Sequence, residues 1–257
     1  MRCLTAYALD AFPLIGPGDD VARVIVETAG RNGLIIEEGD VLVATQKIFS
    51  KAERRVVRLR DVVPSEKAIE TAEVAGKSPK FVELILKETK RVLKTSRELL
   101  LVEDNRGIVC INAGIDKSNI KGRDSYALLP ENPDESARRC RSEIKELTGK
   151  NVAVVICDTY SRPFRRGQVN FAIGMAGINP FRDYRGKQDL FGQTLKVKNV
   201  AIVDELAAAG ELLMGQAAEA TPVVILRGLG DTLDLCEKPN SKELSISNEE
   251  DLFRGAL

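Results

Sequence analysis

Short apolar runs alternate along the chain with amphipathic stretches of helical period. Residues 152–157 (VAVVIC) form a run without a polar side chain, the pattern of a strand covered on both faces. Residues 222–226 (PVVIL) show a second such run near the end of the chain. Further strands are predicted over 4–9, 40–44 and 55–59, and a strand pair over 99–102 and 108–111 around the turn-forming Asn105-Arg106-Gly107. Helices are predicted over 21–29 behind Asp19 and Asp20, and over 65–75 and 79–89, each beginning at or beside a proline. A charged amphipathic helix is expected over 134–147, closed by Gly149, and an Ala-rich one over 200–214. The stretch from Gly167 to Gly192 is glycine-rich, its glycines letting the backbone approach a ligand or make tight turns, and the tail after Asp234 is read as peripheral. Strands and helices mix without a regular βαβ repeat, which predicts an α+β fold of mixed sheets with packed helices rather than a doubly wound sheet. A subdivision near residues 130–134 predicts two subdomains, 1–130 and 131–257, serving one functional unit.

Composition narrows the chemistry. The 257 residues include no histidine, which removes Ser-His-Asp and Cys-His nucleophile pairs, imidazole relays and His-containing zinc sites. Five widely spaced cysteines without a C-x-x-C suit neither a disulfide framework nor a thiolate zinc site, so reduced thiols and a cytoplasmic location are expected. Cys157, at the end of its apolar run, is read as a small buried hydrophobe. The 38 basic residues balance 38 acidic ones, against a nucleic-acid-coating protein. The N-terminus lacks the apolar core of a secretory signal, and no run approaches the ~20 residues of a bilayer span.

Four segments could carry chemistry. No phosphate-binding G-x-x-x-x-G-K-[ST] occurs, and Gly16-Pro-Gly18 lacks the third glycine of a dinucleotide fingerprint, so the acids behind it are read as a loop capped by Asp19. Lys47 and Lys51 follow a strand end at helical spacing; they suit phosphates as point charges, or a solvated helix face. The sequence Asn112-Ala-Gly-Ile-Asp116-Lys-Ser-Asn119 supplies hard oxygen donors suited to Mg²⁺ or Mn²⁺, or else an Asx-type turn bonding its own backbone. Asp158, at the end of the buried run, precedes Arg162, Arg165 and Arg166. Those arginines form a salt-bridge network with it, or hold an anion in bidentate fashion while Asp158 holds a metal. Residues 213–222 break the Ala-rich helix before the last strand, with an ordinary helix–strand connection as the alternative.

These blocks in order resemble the coenzyme F420:L-glutamate ligases, γ-glutamyl ligases acting on a deazaflavin cofactor. The resemblance runs from FPLI at 12–15 through GDVLVATQKIFSKAE, NAGIDKSN, CDTYSRPFRRGQ and AIGMAGINPFRDYRG to MGQAAEATPVV. It implies GTP as co-substrate, two divalent ions (Mg²⁺ or Mn²⁺) and K⁺ as a further cation. The partners implied are L-glutamate and the lactyl carboxylate of the deazaflavin precursor F420-0, joined through an acyl phosphate, with further γ-linked glutamates possible in the product. An intertwined homodimer is implied as well, with neither nucleic acid nor membrane as a partner. By resemblance, Phe12, Pro13, Leu14, Ile15, Gln46, Lys47, Lys51 and Asn119 contact the nucleotide, as do Met214, Gly215, Gln216, Ala217, Ala218, Glu219, Ala220 and Thr221. Asp116 and Asp158 correspond to ligands of one metal; Thr159 and Gln216 to those of a second. Arg162, Arg165 and Arg166 would stabilise the transferring phosphoryl group. Gln216 stands where some relatives carry an acid, and an amide oxygen binds Mg²⁺ more weakly than a carboxylate. The rival functions are a metal-dependent phosphatase or phosphotransferase and a non-catalytic nucleotide-binding protein.

Overall fold

The computed structural model describes residues 3–161, 164–230, 235–247 and 249–251. In chain order the strands are β1 (Thr5–Ala8), β2 (Val41–Thr45), β3 (Val56–Arg58), β4 (Thr89–Ser96), β5 (Leu99–Asp104), β6 (Val109–Ile111), β7 (Ser125–Ala127), β8 (Ala153–Ser161), β9 (Gln168–Ala176), β10 (Arg182–Asp183), β11 (Asn199–Val200) and β12 (Val223–Arg227). The α-helices are α1 (Val21–Arg31), α2 (Gln46–Ala52), α3 (Glu66–Ala75), α4 (Pro79–Lys87), α5 (Pro133–Thr148) and α6 (Ile202–Met214). The fold is α+β with mixed sheets. Among the described residues, no helix is long and apolar enough to cross a membrane.

The chain forms two compact units. The first gathers the chain up to Ile15, Asp19–Ile48 and Asn132–Leu244; the second is built mainly of Phe49–Glu131, with Gly16–Gly18 and the described residues from Ser245. The units therefore interleave in sequence instead of dividing into consecutive segments 1–130 and 131–257. The reason lies in the first unit's sheet. Its strand order is β1-β12-β2-β8-β9, and β2 pairs in parallel with β8, which is more than a hundred residues away in sequence. A parallel pair needs a long crossover, and here the connection contains the second unit.

Both faces of this sheet are covered. Val41, Val43, Val155, Cys157, Val224 and Leu226 share one core with Val203, Leu206, Ala207 and Met214 of α6. Alternation turns the intervening Leu42, Val154, Ile156 and Ile225 to the opposite face, where they are also fully or almost fully buried. Helix α5 packs on that face against β8 and β9. The continuous Val/Ile character of β2, β8 and β12 follows from this double cover. In the second unit β3 pairs with β7, and β4, β5 and β6 form an antiparallel sheet beside α3 and α4.

Helix boundaries follow their caps. Asp20, rather than Asp19, accepts the Arg23 amide at 2.9 Å to open α1, and Asn132 accepts that of Glu135 at 3.1 Å ahead of Pro133. The helix expected over 79–89 stops at Lys87, and Thr89 already begins β4.

The largest departure from expectation is β9, which occupies nine residues of the glycine-rich stretch where no strand was expected. Its Gly174 is paired with Ile156, and a Cβ there would lie 2.5 Å from the carbonyl carbon and Cβ of Pro133. The missing side chain lets the start of α5 rest on the sheet, so at this position the glycine serves helix packing and not ligand approach. Gly174→Ala is expected to cost about 1–3 kcal/mol through overpacking. Gly30→Ala, in α1 with open space around the new methyl, is expected to be neutral or to stabilise by up to about 1 kcal/mol. Urea denaturation of both variants measures the contrast; equal midpoints would contradict the packing argument.

Candidate functional site

The sheet gathers one end of several strands. β2 and β8 are parallel, with Thr45 opposite Cys157, so Gln46 and Lys47 leave the sheet beside Asp158 and Thr159. β12 is antiparallel to β2 and starts at this end, with Val223 opposite Ala44; the Thr45 amide donates to the Pro222 carbonyl at 3.0 Å. β1, antiparallel to β12, finishes here, and the Leu9 amide donates to the Val223 carbonyl at 3.0 Å. Four candidate segments of the first unit therefore meet at the carboxyl ends of β1, β2 and β8: residues 12–15, Gln46 with Lys47, Asp158 with Thr159, and the loop 214–221. The crevice beyond the carboxyl ends of parallel strands is where α/β sheets characteristically take ligands.

Within that cluster the side chains divide. Phe12 and Ile15 are buried in the core, whereas Pro13 and Leu14 are exposed. Gln46 is buried at the start of α2, and Lys47 and Lys51 of the same helix are half-buried. Asp158 does not end its strand, which continues to Ser161. Opposite this point β9 carries the extra residue Ile173 of a bulge, since Ile156 pairs with Gly174 and Cys157 with Ala172, while β8 keeps its alternation and turns Asp158 to the face opposite Cys157. Burial changes at the same place, complete through Cys157 and partial from Asp158 to Tyr160. Cys157 itself is a buried hydrophobe as expected. Desolvation, with Asp158 adjoining, pushes its thiol up to about 12, so it is no nucleophile.

Beyond the bulge Thr159 faces Asn170 on β9, and its hydroxyl donates to Asn170 Oδ1 at 2.9 Å. The same hydroxyl lies 3.3 Å from Gln216 Oε1. The structure thus unites the two residues assigned by resemblance to a second metal, and adds Asn170 to them. Gln216 stands on a loop with its own internal supports. Gly215 has φ 64°, which favours glycine, and a Cβ there would run into the Glu219 carboxyl. Glu219 accepts the Ala217 amide at 2.7 Å. Thr221 is buried and donates to the Met214 carbonyl at 3.0 Å, satisfying an orphan acceptor at the end of α6. Ala217, Ala218, Glu219 and Ala220 are exposed.

The remaining expected site residues belong to the second unit or to exposed chain. Asn112 and Ala113 hold left-handed φ of 52° and 56° ahead of Gly114, a conformation costing non-glycine residues of order 1 kcal/mol each. This turn delivers Asp116, whose backbone bridges to Ala127. The Asp116 carboxylate accepts the Ser118 amide at 2.7 Å and its hydroxyl at 2.9 Å, the Asx-type arrangement weighed for this segment. Asn119 is exposed at φ 56°. Asp116 lies in the second unit and Asp158 in the first. Arg165 and Arg166 are exposed; Arg162 lies outside the described residues.

The donor set is one of hard oxygens. In the first unit, carboxylate, hydroxyl and amide oxygens at Asp158, Thr159 and Gln216 are of the kind that suits Mg²⁺ or Mn²⁺, and the buried Cys157, which stays protonated, offers no thiolate to favour a softer ion. Among the described residues no three Asp, Glu, Cys or His side chains gather as a self-contained metal cage.

Residues 11–228 match the F420-0:gamma-glutamyl ligase family. The chain belongs to that family. Among relatives named coenzyme F420:L-glutamate ligase, that of Methanopyrus kandleri is 44% identical over 99% of this chain and 100% of its own length. The relative in Methanothermobacter thermautotrophicus is 40% identical over 98% of this chain and 99% of its own. The Archaeoglobus fulgidus protein is 42% identical over 98% and 96% respectively. In this member of the family two residues of the oxygen cluster escape motif reading: Asn170, and Glu211, whose Oε1 accepts Gln216 Nε2 at 3.0 Å. Asn170 is visible only through strand register, and Glu211 only as an acid in the last turn of a helix.

Proposed function

We propose that this protein is a ligase that joins L-glutamate through an amide bond to the lactyl carboxylate of F420-0, driven by GTP. The observation that carries the reading is the meeting of four candidate segments at one end of the five-stranded sheet, in a chain of the F420-0:gamma-glutamyl ligase family.

The proposed chemistry needs no histidine. The substrate's own carboxylate is ionised at neutral pH and attacks the γ-phosphorus of GTP, with GDP leaving. The amino group of glutamate then attacks the acyl carbon of the resulting acyl phosphate; phosphate departs with the C–O bond, and the new amide nitrogen gives up its proton. Further γ-linked glutamates would be added by the same two steps. Phosphoryl transfer asks chiefly for positioning and positive charge. Lys47 and Lys51 on α2 and Arg162, Arg165 and Arg166 after β8 are assigned to the phosphates. Asp116 and Asp158 would hold one divalent ion, and Thr159 and Gln216 a second; such ions neutralise triphosphate charge, with K⁺ as a further cation. Residues 12–15, Asn119 and the loop 214–221 are assigned to the remainder of the nucleotide. A homodimer belongs to the proposal, and the exposed Leu190 (98%) and Phe191 (88%) give it an apolar surface to bury.

Incubation with GTP, Mn²⁺, K⁺, L-glutamate and F420-0 is expected to give a glutamylated deazaflavin by mass spectrometry, with GDP released only when both acceptor and glutamate are present. Release of phosphate regardless of glutamate would establish a phosphatase instead. Tight GDP binding without any product would establish a non-catalytic nucleotide-binding protein.

A further inference from the structure

Glu211 stands in the last turn of α6, a turn without a basic residue. The helix macrodipole places partial negative charge there, so a carboxylate in this position is disfavoured unless positive charge comes near. Its Oε1 accepts Gln216 Nε2 at 3.0 Å. With its nitrogen directed to Glu211, Gln216 turns Oε1 toward the Thr159 hydroxyl. Asn170, buried opposite, is oriented in a similar way: its Nδ2 donates to Cys157 Sγ at 3.5 Å, and its Oδ1 faces Thr159.

The result is a surplus of acceptors. Thr159 has a single hydroxyl proton, yet two acceptor oxygens lie within hydrogen-bond distance, Asn170 Oδ1 at 2.9 Å and Gln216 Oε1 at 3.3 Å. Gln216 Nε2 reaches Asn170 Oδ1 only at 3.5 Å. Three neutral oxygens, a carboxylate behind one of them and a helix C-terminus together form an electron-rich site.

We propose that Glu211 is a positioning residue for the second cation, acting through Gln216. It fixes the amide so that the carbonyl oxygen faces Thr159, and it supplies the negative charge that an amide ligand lacks. This inference rests on the proposed second metal site at Thr159 and Gln216. Outer partners of metal ligands commonly change affinity about 10–100-fold when removed. Here the charge should be movable, from the carboxylate at 211 to one at 216.

Mn²⁺ titrations of the full chain in the presence of GDP, followed by the electron paramagnetic resonance of free Mn²⁺, test this without turnover. The native protein is expected to take up a second Mn²⁺ per chain. Glu211→Gln, isosteric and on a half-buried side chain, should weaken that second ion about 10-fold or more and leave the first unchanged. The double variant Glu211→Gln/Gln216→Glu should restore it to within about threefold, a rescue that a purely structural role for Glu211 would not produce. Uptake of only one Mn²⁺ by the native protein would overturn the second metal site and the proposal together. Two ions in the native protein with unchanged affinity in Glu211→Gln would overturn the role of Glu211 alone. A double variant that melts like the native protein but stays weak would overturn the charge argument.

Discussion

Asp158→Asn is expected to lower glutamate-dependent turnover by about 10²–10³-fold at saturating nucleotide, the range seen when one preorganised electrostatic contribution to a transition state is lost. The thermal midpoint should stay within about 2–4 °C of the native protein, equivalent to at most about 1 kcal/mol at this chain length. The separation of the two effects follows from where the residue lies. Strand β8 is fully buried from Ala153 to Cys157, and its burial becomes partial at Asp158, which is outside the apolar core. Asparagine preserves shape and one carbonyl oxygen while removing the charge proposed to hold a divalent ion. Turnover within about threefold of native at saturating Mn²⁺ would refute the metal assignment, because an effect of that size is far below the expected range. A large fall in midpoint would instead make Asp158 a structural residue.

What could be read in advance depended on whether a segment's pattern answered to its own packing or to a distant partner. The strands β2, β8 and β12 announce themselves because cover on both faces leaves them almost no polar residue. α5 and α6 lie within two residues of their expected bounds, since capping and helical period are local properties. β4 escaped notice because its eight residues, TKRVLKTS, are mostly exposed and carry three basic side chains, giving little apolar alternation. β9 escaped because its Gly174 suggested ligand approach or a tight turn, a role that Gly177 just beyond the strand does take at φ 79°; the Cβ position of Gly174 is instead taken by Pro133. Nothing in the local pattern of residues 41–45 reveals parallel pairing with residues 153–157, which comes only with the assembled sheet. The site divides along the same line. Asp158, Thr159 and Gln216 stood out in motifs, while Asn170 needs the register of β9, and Glu211 needs the course of the loop that follows α6.

Asp104→Ala in the second unit is expected to cost about 3–5 kcal/mol, the loss typical of breaking a buried ion pair from one side. Asp104 is completely buried at the end of β5. Its Oδ1 accepts the Arg106 and Ile108 amides at 2.8 and 2.9 Å, and its Oδ2 takes the Arg106 guanidinium at 2.8–2.9 Å. Arg106 in turn lies 3.5 Å from Glu88, which holds Arg55 at 2.7 Å. Alanine at 104 would leave two backbone donors and part of a largely buried guanidinium without the oxygens that now satisfy them. The turn linking β5 to β6 depends on the same carboxylate, so the β4–β5–β6 sheet should lose protection from hydrogen exchange together with stability. Glu135→Ala supplies the comparison: it removes an equally short pair, to Arg138 at 2.7 Å, but one on the solvent-exposed face of α5, where such pairs are worth about 0–1 kcal/mol. Urea unfolding monitored by circular dichroism should place the Asp104 variant far below native and the Glu135 variant close to it. Similar midpoints for the two would mean that burial adds nothing to the Asp104 network, and the energetic account of that turn would be wrong.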